Sequence, residues 1–463
     1  MKKQNVGTSK KATLFVATTG SFIVPFAGSA IMIGLPSISQ EFALDTVTLG
    51  WVHTSFSLSL AIMLIPLGKI ADIYGRKKIF LLGTIVYTIS SLLAAISNSA
   101  YMLIVFRVMQ GIGGAALIST IVAILTLVFP IAERGKVLGI NTASVYVGTS
   151  VGPVIGGLLT QYFGWRSIFI ILVPLGLIII SAVFWKLRSE WTGVAGEKFD
   201  LTGAFVYGIS MVSLMYGLSL LPNMVGAWLM VLSVLGVVAF VKWEMKVKTP
   251  VLNINLLRHN VIFLMSNLAV LLCYLATNAS GFILVIYLQS IKGLSPQYTG
   301  LILIFQPIFM AIFSPLAGRF SDRIEPRLIS SIGMVLNTLS LVILIFIGGN
   351  TGLGLIIASL VIQGLGFALF SAPNTIAVMN SVNTRIYGVA SGTLGTMRNI
   401  GKMLSLGIAM MLFSIYTGGL QITSDNHTIY LQTMRVAFLI FSVICFCGIF
   451  ASLARGNVRH ADS

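Results

Sequence analysis

Three cations within long apolar stretches are the residues of this sequence most able to do chemistry. Arg107 stands three residues before Gln110, and Arg398 stands one helical turn before Lys402. A cation inside an apolar segment is costly, so each is expected to face a cavity or a bonding partner. Arg398 and Lys402 share one helix face, where like charges repel each other. Such a pair can attract an anion, and Lys402 can also exchange a proton.

Groups suited to enzymatic chemistry are distributed differently. An enzyme needs a clustered nucleophile, an acid–base pair or a metal set, and the His, Cys, Asp and Glu residues gather in none of the apolar stretches. The sequence has no Gly-rich loop ending in Lys-Ser or Lys-Thr, so ATP is not expected as the direct energy source. A channel is disfavoured because no filter sequence is visible. We therefore expect a protein that is not an enzyme and that uses no cofactor or metal.

The composition identifies the elements that must position these cations. The chain has 463 residues, of which 57% are apolar and only 9% are charged, with a mean hydropathy of +0.98. A soluble domain has about a quarter of its residues charged, and a disordered chain needs low hydrophobicity. These values indicate an all-α membrane protein, since barrel strands would be short and alternating. The net charge of +17 is then expected to reflect topology and lipid contact, not nucleic-acid binding.

Helices long enough to cross a bilayer can be placed along the whole chain. A span needs about 20 apolar residues, and Gly and Pro blur two or three boundaries, which leaves thirteen spans as an alternative to fourteen. The fourteen predicted spans lie near residues 13–35, 48–68, 79–98, 101–128, 137–160, 166–187, 201–221, 224–242, 261–289, 298–318, 328–348, 352–376, 388–416 and 431–454.

The distribution of Lys and Arg predicts the orientation. Basic residues concentrate in segments that share one side when both termini are cytoplasmic, which is the arrangement that the positive-inside rule favours. The short loops and the lack of a targeting extension favour a prokaryotic plasma membrane. The clearest basic segments are Lys2–Lys3, Lys10–Lys11, Arg76–Lys78 and Lys242–Lys248.

An internal repeat divides the chain into two halves. Gly68 and Asp72 recur as Gly318 and Asp322 at an offset of 250, and Gln110 recurs as Gln363 at an offset of 253. Similar offsets in the same order indicate a duplication, and two parallel repeats with a path between them are a transporter architecture. We expect a six-helix bundle in residues 1–190, two additional helices in 191–255 and a second six-helix bundle in 256–463.

The loop after the second predicted span resembles the signature loop of the major facilitator superfamily. It reads Gly68-Lys-Ile-Ala-Asp72-Ile-Tyr-Gly75-Arg76. Gly75 suits a tight turn, and Asp72 can accept from Arg76 or from a helix N-terminus. The expectation is a conformational latch, with a basic loop that only fixes topology as the alternative. The second half is expected to supply the matching residues Gly318, Asp322 and Arg323.

Two further motifs extend this resemblance. The fourth span is similar to a superfamily motif that is linked to proton relay or substrate contact through Arg107 and Gln110, although Arg107 can equally bond helix carbonyls. The fifth span is similar to the motif of the exporter, or antiporter, branch, although generic close packing explains it too. The segments 164–166, 199–203 and 388–392, which begin Gly164-Trp, Phe199-Asp and Gly388-Val, resemble the fourteen-span drug/proton antiporter branch of this superfamily. The fifth-span motif consists of Gly148, Gly152, Pro153, Gly156 and Gly157.

Two positions depart from that branch. Ala27 stands where the family usually has an Asp, and Lys402 stands where it commonly has a Gly. We consider three interpretations: an electropositive cavity for anionic or neutral amphiphiles, a lysine that replaces the carboxylate as proton carrier, and a lysine that only reaches a wet vestibule. Other residues either line the path or form interhelical bonds. These are Tyr274, Asn278, Gln306, Gln363 and Asn374.

The predicted function is secondary active transport by alternating access. The resemblance implies an exporter of hydrophobic or amphipathic compounds of the multidrug efflux type, coupled to protons and acting as a monomer. The alternative is a transporter of organic anions or lipid-like substrates through an electropositive cavity, without an intramembrane carboxylate.

Overall fold

The computed structural model is helical throughout the residues that it describes, which are 9–187, 190, 199–247, 254–321, 323–383, 387–418 and 427–456. Within these residues, fourteen spans are long and apolar enough to cross a membrane, in agreement with the fourteen predicted. Three spans contain a break or an irregular turn. The helices are α1 Lys10–Phe42, α2 Thr46–Tyr74, α3 Arg76–Ala95, α4 Ala100–Val128, α5 Ile131–Phe163, α6 Arg166–Ile170, α7 Leu172–Lys186, α8 Leu201–Leu220, α9 Met224–Glu244, α10 Ile254–His259, α11 Val261–Ile286 continued by a π turn at Tyr287–Ile291, α12 Pro296–Leu303, α13 Phe305–Ser321, α14 Pro326–Ile345, α15 Leu353–Asn380, α16 Tyr387–Thr417 and α17 His427–Ala454.

Local sequence explains where many of these helices begin. A side-chain oxygen just before the first turn accepts a backbone N–H that has no partner within the helix, and Ser, Asp and Asn are the residues suited to this role. Such caps occur at Ser9, Asp45, Ser99, Asp200, Asn223, Asn260 and Ser295. Between α2 and α3 the chain turns at Gly75, whose φ of 119° favours glycine.

The helices form two bundles with the same internal packing. In the N bundle (α1–α7), α1 packs on α5, and α4 packs on both α2 and α3. In the C bundle (α11–α17), α11 packs on α16, and α15 packs on both α13 and α14. The bundles meet along α2 with α16 and along α5 with α12, while α8 and α9 pack together and α8 also contacts both α2 and α16. The predicted fold class is confirmed. The boundaries at residues 190 and 255 stay a prediction.

Close helix crossings repeat between the bundles. A Cβ on Gly113 would lie 2.7 Å from the carbonyl oxygen of Gly83, and a Cβ on Gly366 would lie 2.8 Å from that of Gly333. Gly113 and Gly366 differ by 253, which is the offset predicted for this repeat. The duplication is therefore visible as the same backbone contact in both halves, made possible by small residues.

The even number of spans brings both described chain ends to one side of the molecule. We call this side the terminal face; it includes Lys10, Arg76, Lys186 and Arg455. The other side is the opposite face, where α1 ends and α2 begins at Phe42–Thr46.

Candidate functional site

Arg107 is fully buried within the N bundle and bonded to it. Its Nε donates to the carbonyl oxygen of Val52 at 3.2 Å, and one terminal nitrogen donates to Gln110 Oε1 at 2.6 Å. The guanidinium also lies over the ring of Phe56, 4.4 Å from its centre. Gln110 in turn donates to Ser91 Oγ at 2.8 Å. Arg107 and Gln110 therefore link α2, α3 and α4. This agrees with the alternative interpretation of the fourth-span motif, in which Arg107 bonds helix carbonyls.

Arg398 and Lys402 have different surroundings in the C bundle. Both are half-buried on α16 and lie near the ring of Tyr274 on α11, with Arg398 Cζ at 5.3 Å and Lys402 Nζ at 5.5 Å from its centre. Phe367 packs on the same tyrosine at 5.4 Å. The side chain of Lys402 has no hydrogen bond or ion pair within the described part of the chain. The two cations thus lie near the same aromatic ring.

His53 lies on α2, the N-bundle helix that packs on α16 of the C bundle. Its side chain is buried. Among the described residues, neither His53 Nδ1 nor the second terminal nitrogen of Arg107 has a hydrogen-bond partner. We call His53, Arg107, Tyr274, Arg398 and Lys402 the central cluster. The acidic residues of the described helices lie at or near helix ends, so the cluster is positive.

The other candidate path residues lie in the C bundle in differing environments. Asn278 is half-buried and donates to the carbonyl oxygen of Lys402 at 3.3 Å. Gln363 is fully buried and bonds Ser280 at 3.2 Å. Asn374 is fully buried and donates to Ser266. Gln306 is half-buried on α13. Asn278 is therefore next to the central cluster, whereas Gln363 and Asn374 are enclosed in this conformation.

The glycine stripe of α5 packs on α1. A Cβ on Gly148 would lie 2.5 Å from the carbonyl oxygen of Phe22, and one on Gly156 would lie 2.7 Å from Ala30 Cα. A Cβ on Gly152 would lie 2.9 Å from the carbonyl oxygen of Phe26. These backbone approaches require glycine.

The neighbouring motif residues face the other bundle. A Cβ on Gly157 would lie 2.6 Å from the carbonyl oxygen of Pro296 on α12. The carbonyl oxygen of Pro153 is in close contact with Gly300 of α12. One motif therefore supports both the packing within the N bundle and the contact between bundles.

Hydrogen bonds join the two bundles near the opposite face. Thr46 Oγ1 and the Tyr430 hydroxyl are 2.6 Å apart. Gln289 donates to the carbonyl oxygen of Ile33 at 2.9 Å. Further in along α2, Thr54 Oγ1 lies 3.5 Å from Met410 Sδ. The bundles are thus in contact between the central cluster and the opposite face.

The loop between α2 and α3 forms the predicted internal ion pair. Arg76 lies 2.7 Å from Asp72 Oδ1. Gly68 packs near Ser119 of α4, whereas a Cβ on its repeat partner Gly318 would meet nothing within 4 Å. In the second half, Arg323 lies just after the end of α13, whereas Asp322 lies outside the described residues.

Two polar residues that sequence reasoning missed hold helix ends at the terminal face. Glu190 Oε1 accepts the backbone N–H of Lys77 at 2.9 Å, in the first turn of α3. Arg455 is fully buried and donates to Asn374 Oδ1 and to the carbonyl oxygen of Pro326, both at 2.8 Å. The sequence gives no signal for this role of Arg455, because its partners are remote along the chain.

Two similar helical bundles around a shared polar interior define a membrane transporter architecture. The profile of the Major Facilitator Superfamily matches residues 17–247 and 266–462. The chain belongs to this superfamily, and its fourteen spans fit the fourteen-span branch. It is a transporter and not an enzyme. Within the described residues, no three His, Cys, Asp or Glu side chains come together as a metal site.

Curated relatives cover most of the chain. A riboflavin transporter, RibZ of Clostridioides difficile, is 28% identical over 95% of this chain and 96% of its own. The multidrug resistance protein Stp of Mycobacterium tuberculosis is 29% identical over 90% of this chain and 77% of its own. The tetracenomycin C resistance and export protein of Streptomyces glaucescens is 27% identical over 88% and 76%.

Solved structures share the fold at low identity. A bacterial homologue of the human lysosomal transporter Spinster, in an inward-facing and unoccupied conformation, aligns with a TM-score of 0.70 at 17% identity, over 96% of this chain and 97% of that chain. A peptide transporter in complex with alafosfalin aligns with a TM-score of 0.69 at 16% identity, over 94% and 93%.

Proposed function

We propose that this protein exports hydrophobic or amphipathic small molecules by alternating access, with protons as the coupling ion. The observation that supports export most directly is the α5 motif, in which Gly157 and Pro153 contact α12 while the glycine stripe contacts α1. The multidrug resistance and export proteins among the relatives support the same class. We place the terminal face in the cytoplasm of a prokaryotic cell, because Lys and Arg concentrate there.

The contact between the bundles near the opposite face fits one state of such a cycle. With the terminal face inside, this arrangement corresponds to an inward-facing state, in which substrate enters from the cytoplasm or the inner leaflet. Export then requires the bonds at Thr46 and Ile33 to break and the terminal ends to close. The latch residues of both halves act in that closure: Gly68, Asp72, Gly75, Arg76, Gly318, Asp322 and Arg323.

A second candidate, transport of organic anions or lipid-like anions, is favoured by the charge of the central cluster. Three cations lie in the interior, while the acidic residues of the described helices lie at or near helix ends. An anionic group can approach Arg398 and Lys402 without a competing carboxylate, and Tyr274 offers a face for an aromatic or apolar body. The riboflavin transporter among the relatives is consistent with aromatic substrates.

Proton coupling without an interior carboxylate requires another group to take the proton. We propose Lys402, since its side chain is half-buried, unpartnered among the described residues and next to Arg398. A neutral lysine removes the repulsion between these two neighbours. Arg107 and Gln110 then act as positioning residues for the cluster.

The experiment is transport by purified protein in liposomes, with a pH gradient and a membrane potential applied separately. One lipophilic cation and one amphipathic anion are compared. The proposal expects transport of amphiphiles driven by the pH gradient, and loss of that drive in Lys402→Met. The proton-carrier role of Lys402 is refuted if this variant keeps the rate and pH dependence of the wild type. Cation export that the pH gradient drives and that survives Lys402→Met contradicts the electropositive cavity.

A further inference from the structure

A groove on the outer surface of the N bundle lies apart from the central cluster. It runs between the start of α1 and the end of α7 at the terminal face, with a volume of about 740 Å³. Its apolar wall includes Phe15, Leu177 and Ile178, and its polar rim includes Lys11 and Lys186. None of these residues belongs to the transport motifs. The groove therefore needs an explanation of its own.

The position of the groove matches the boundary between lipid and water. α1 begins at Lys10 and α7 ends at Lys186, so the rim lies where two spans leave the membrane. Trp185, which is 75% exposed, also lines the groove, and tryptophan prefers the headgroup level. Leu177 lies nine residues before Lys186, which places it about 14 Å deeper along the helix. The groove thus extends from the headgroup level into the hydrocarbon layer.

The two rim lysines leave their charge available. Lys11 and Lys186 form no ion pair with any described residue. The adjacent Lys10 differs, because it pairs with Glu133 at 3.0 Å and lies near the Phe129 ring. Two unpaired cations above an apolar wall complement an anionic headgroup above an acyl chain.

We propose that this groove binds one anionic glycerophospholipid. The phosphate lies between Lys11 and Lys186, within reach of the hydroxyls of Ser9 and Ser181 at the same groove. One acyl chain follows Leu177 toward the membrane centre. A zwitterionic lipid brings its own cation to this rim and binds less well. The proposal concerns the annular surface and does not depend on which substrate the protein transports.

Native mass spectrometry of the purified full-length protein tests this site. The protein is delipidated and mixed with equal amounts of phosphatidylglycerol and phosphatidylethanolamine. We expect one tightly retained phosphatidylglycerol, and roughly tenfold weaker retention in Lys11→Gln/Lys186→Gln, since each lysine near an anionic surface contributes appreciably. The matched control is Lys242→Gln/Lys246→Gln, which removes two cations of the terminal face outside the groove and is expected to bind as the wild type does.

A second measurement locates the lipid. Phosphatidylglycerol with brominated acyl chains quenches nearby tryptophan, and the contribution of Trp185 is the difference between wild type and Trp185→Phe. We expect strong quenching of this contribution at low lipid ratios, and its loss when Lys11→Gln/Lys186→Gln removes the two rim cations and leaves Trp185 in place. Equal retention of both lipids, unchanged retention in the Lys11/Lys186 variant, or equal losses in that variant and its control would each overturn the proposal.

Discussion

The N bundle and the C bundle have the same helix crossings but use their interior cations differently. In the N bundle, Arg107 is fully buried, bonded to Val52 and Gln110, and covered by Phe56. In the C bundle, Arg398 and Lys402 are half-buried beside Tyr274. The cation of one bundle mainly joins helices, whereas those of the other remain available to a ligand.

This difference indicates which features a duplication preserves. A glycine at a helix crossing cannot be replaced without a steric clash, because any Cβ there meets a neighbouring backbone. Polar residues are limited only by the need for partners, so the two halves can diverge. We propose that the N bundle serves mainly as a frame and that the C bundle supplies the groups that meet the substrate at their shared boundary.

The largest expected effect comes from the shared crossings. Gly113→Ala and Gly366→Ala place a methyl group within 2.9 Å of backbone atoms in α3 and α14 respectively. Each should lower the free energy of unfolding by about 1–3 kcal/mol. Thermal unfolding in detergent measures both variants, with Gly28→Ala as the control because a Cβ there meets nothing within 4 Å. If only one of these two variants lost stability, the two crossings would not be equivalent.

Removing one cation from each bundle sharpens the contrast between them. Arg107→Met removes the donor to Gln110 Oε1 and a second donor to the Val52 carbonyl, so we expect a loss of about 1–3 kcal/mol of stability. Lys402→Met removes a side chain that has no hydrogen bond among the described residues and should change stability by less than about 0.5 kcal/mol. Both values come from the same unfolding assay. A larger loss for Lys402→Met than for Arg107→Met contradicts the assigned roles.

Access from water should also differ between the bundles. In a variant that lacks Cys447, Lys402→Cys should react with a water-soluble thiol reagent, whereas Leu103→Cys, buried on α4, should not. The neighbouring Arg398 should make an anionic reagent react several-fold faster than a cationic one of similar size. Equal rates for the two reagents at the thiol introduced by Lys402→Cys would remove the argument for an electropositive cavity.

The smallest expected effect separates bonds between bundles from bonds within one. Tyr430→Phe removes the hydrogen bond to Thr46, which should favour opening at the opposite face by about 0.5–1.5 kcal/mol. Tyr87→Phe removes the bond to the Ile23 carbonyl inside the N bundle and should leave that equilibrium unchanged. Distances between spin labels on α2 and α17 report the populations. An equal shift in both variants would show that the bond to Thr46 has no special role.

Much of the fold could be predicted from the sequence, because spans and helix starts depend on local composition. The fourteen spans and the ion pair between Asp72 and Arg76 are of this kind. The positions of His53, Glu190 and Arg455 could not be predicted, because each depends on a helix that is remote in sequence. His53, for example, reaches the boundary between the bundles only because α2 packs on α16.

The central claim is that the C-bundle cations attract the charged part of an anionic substrate. The most direct measurement is transport into liposomes of two compounds with the same amphipathic body, one with a carboxylate and one with a neutral amide. We predict that the wild type prefers the carboxylate by tenfold or more, and that Lys402→Met abolishes this preference, measured as the ratio of the two transport rates. Equal transport of both compounds by the wild type, or an unchanged preference in the variant, would contradict the claim.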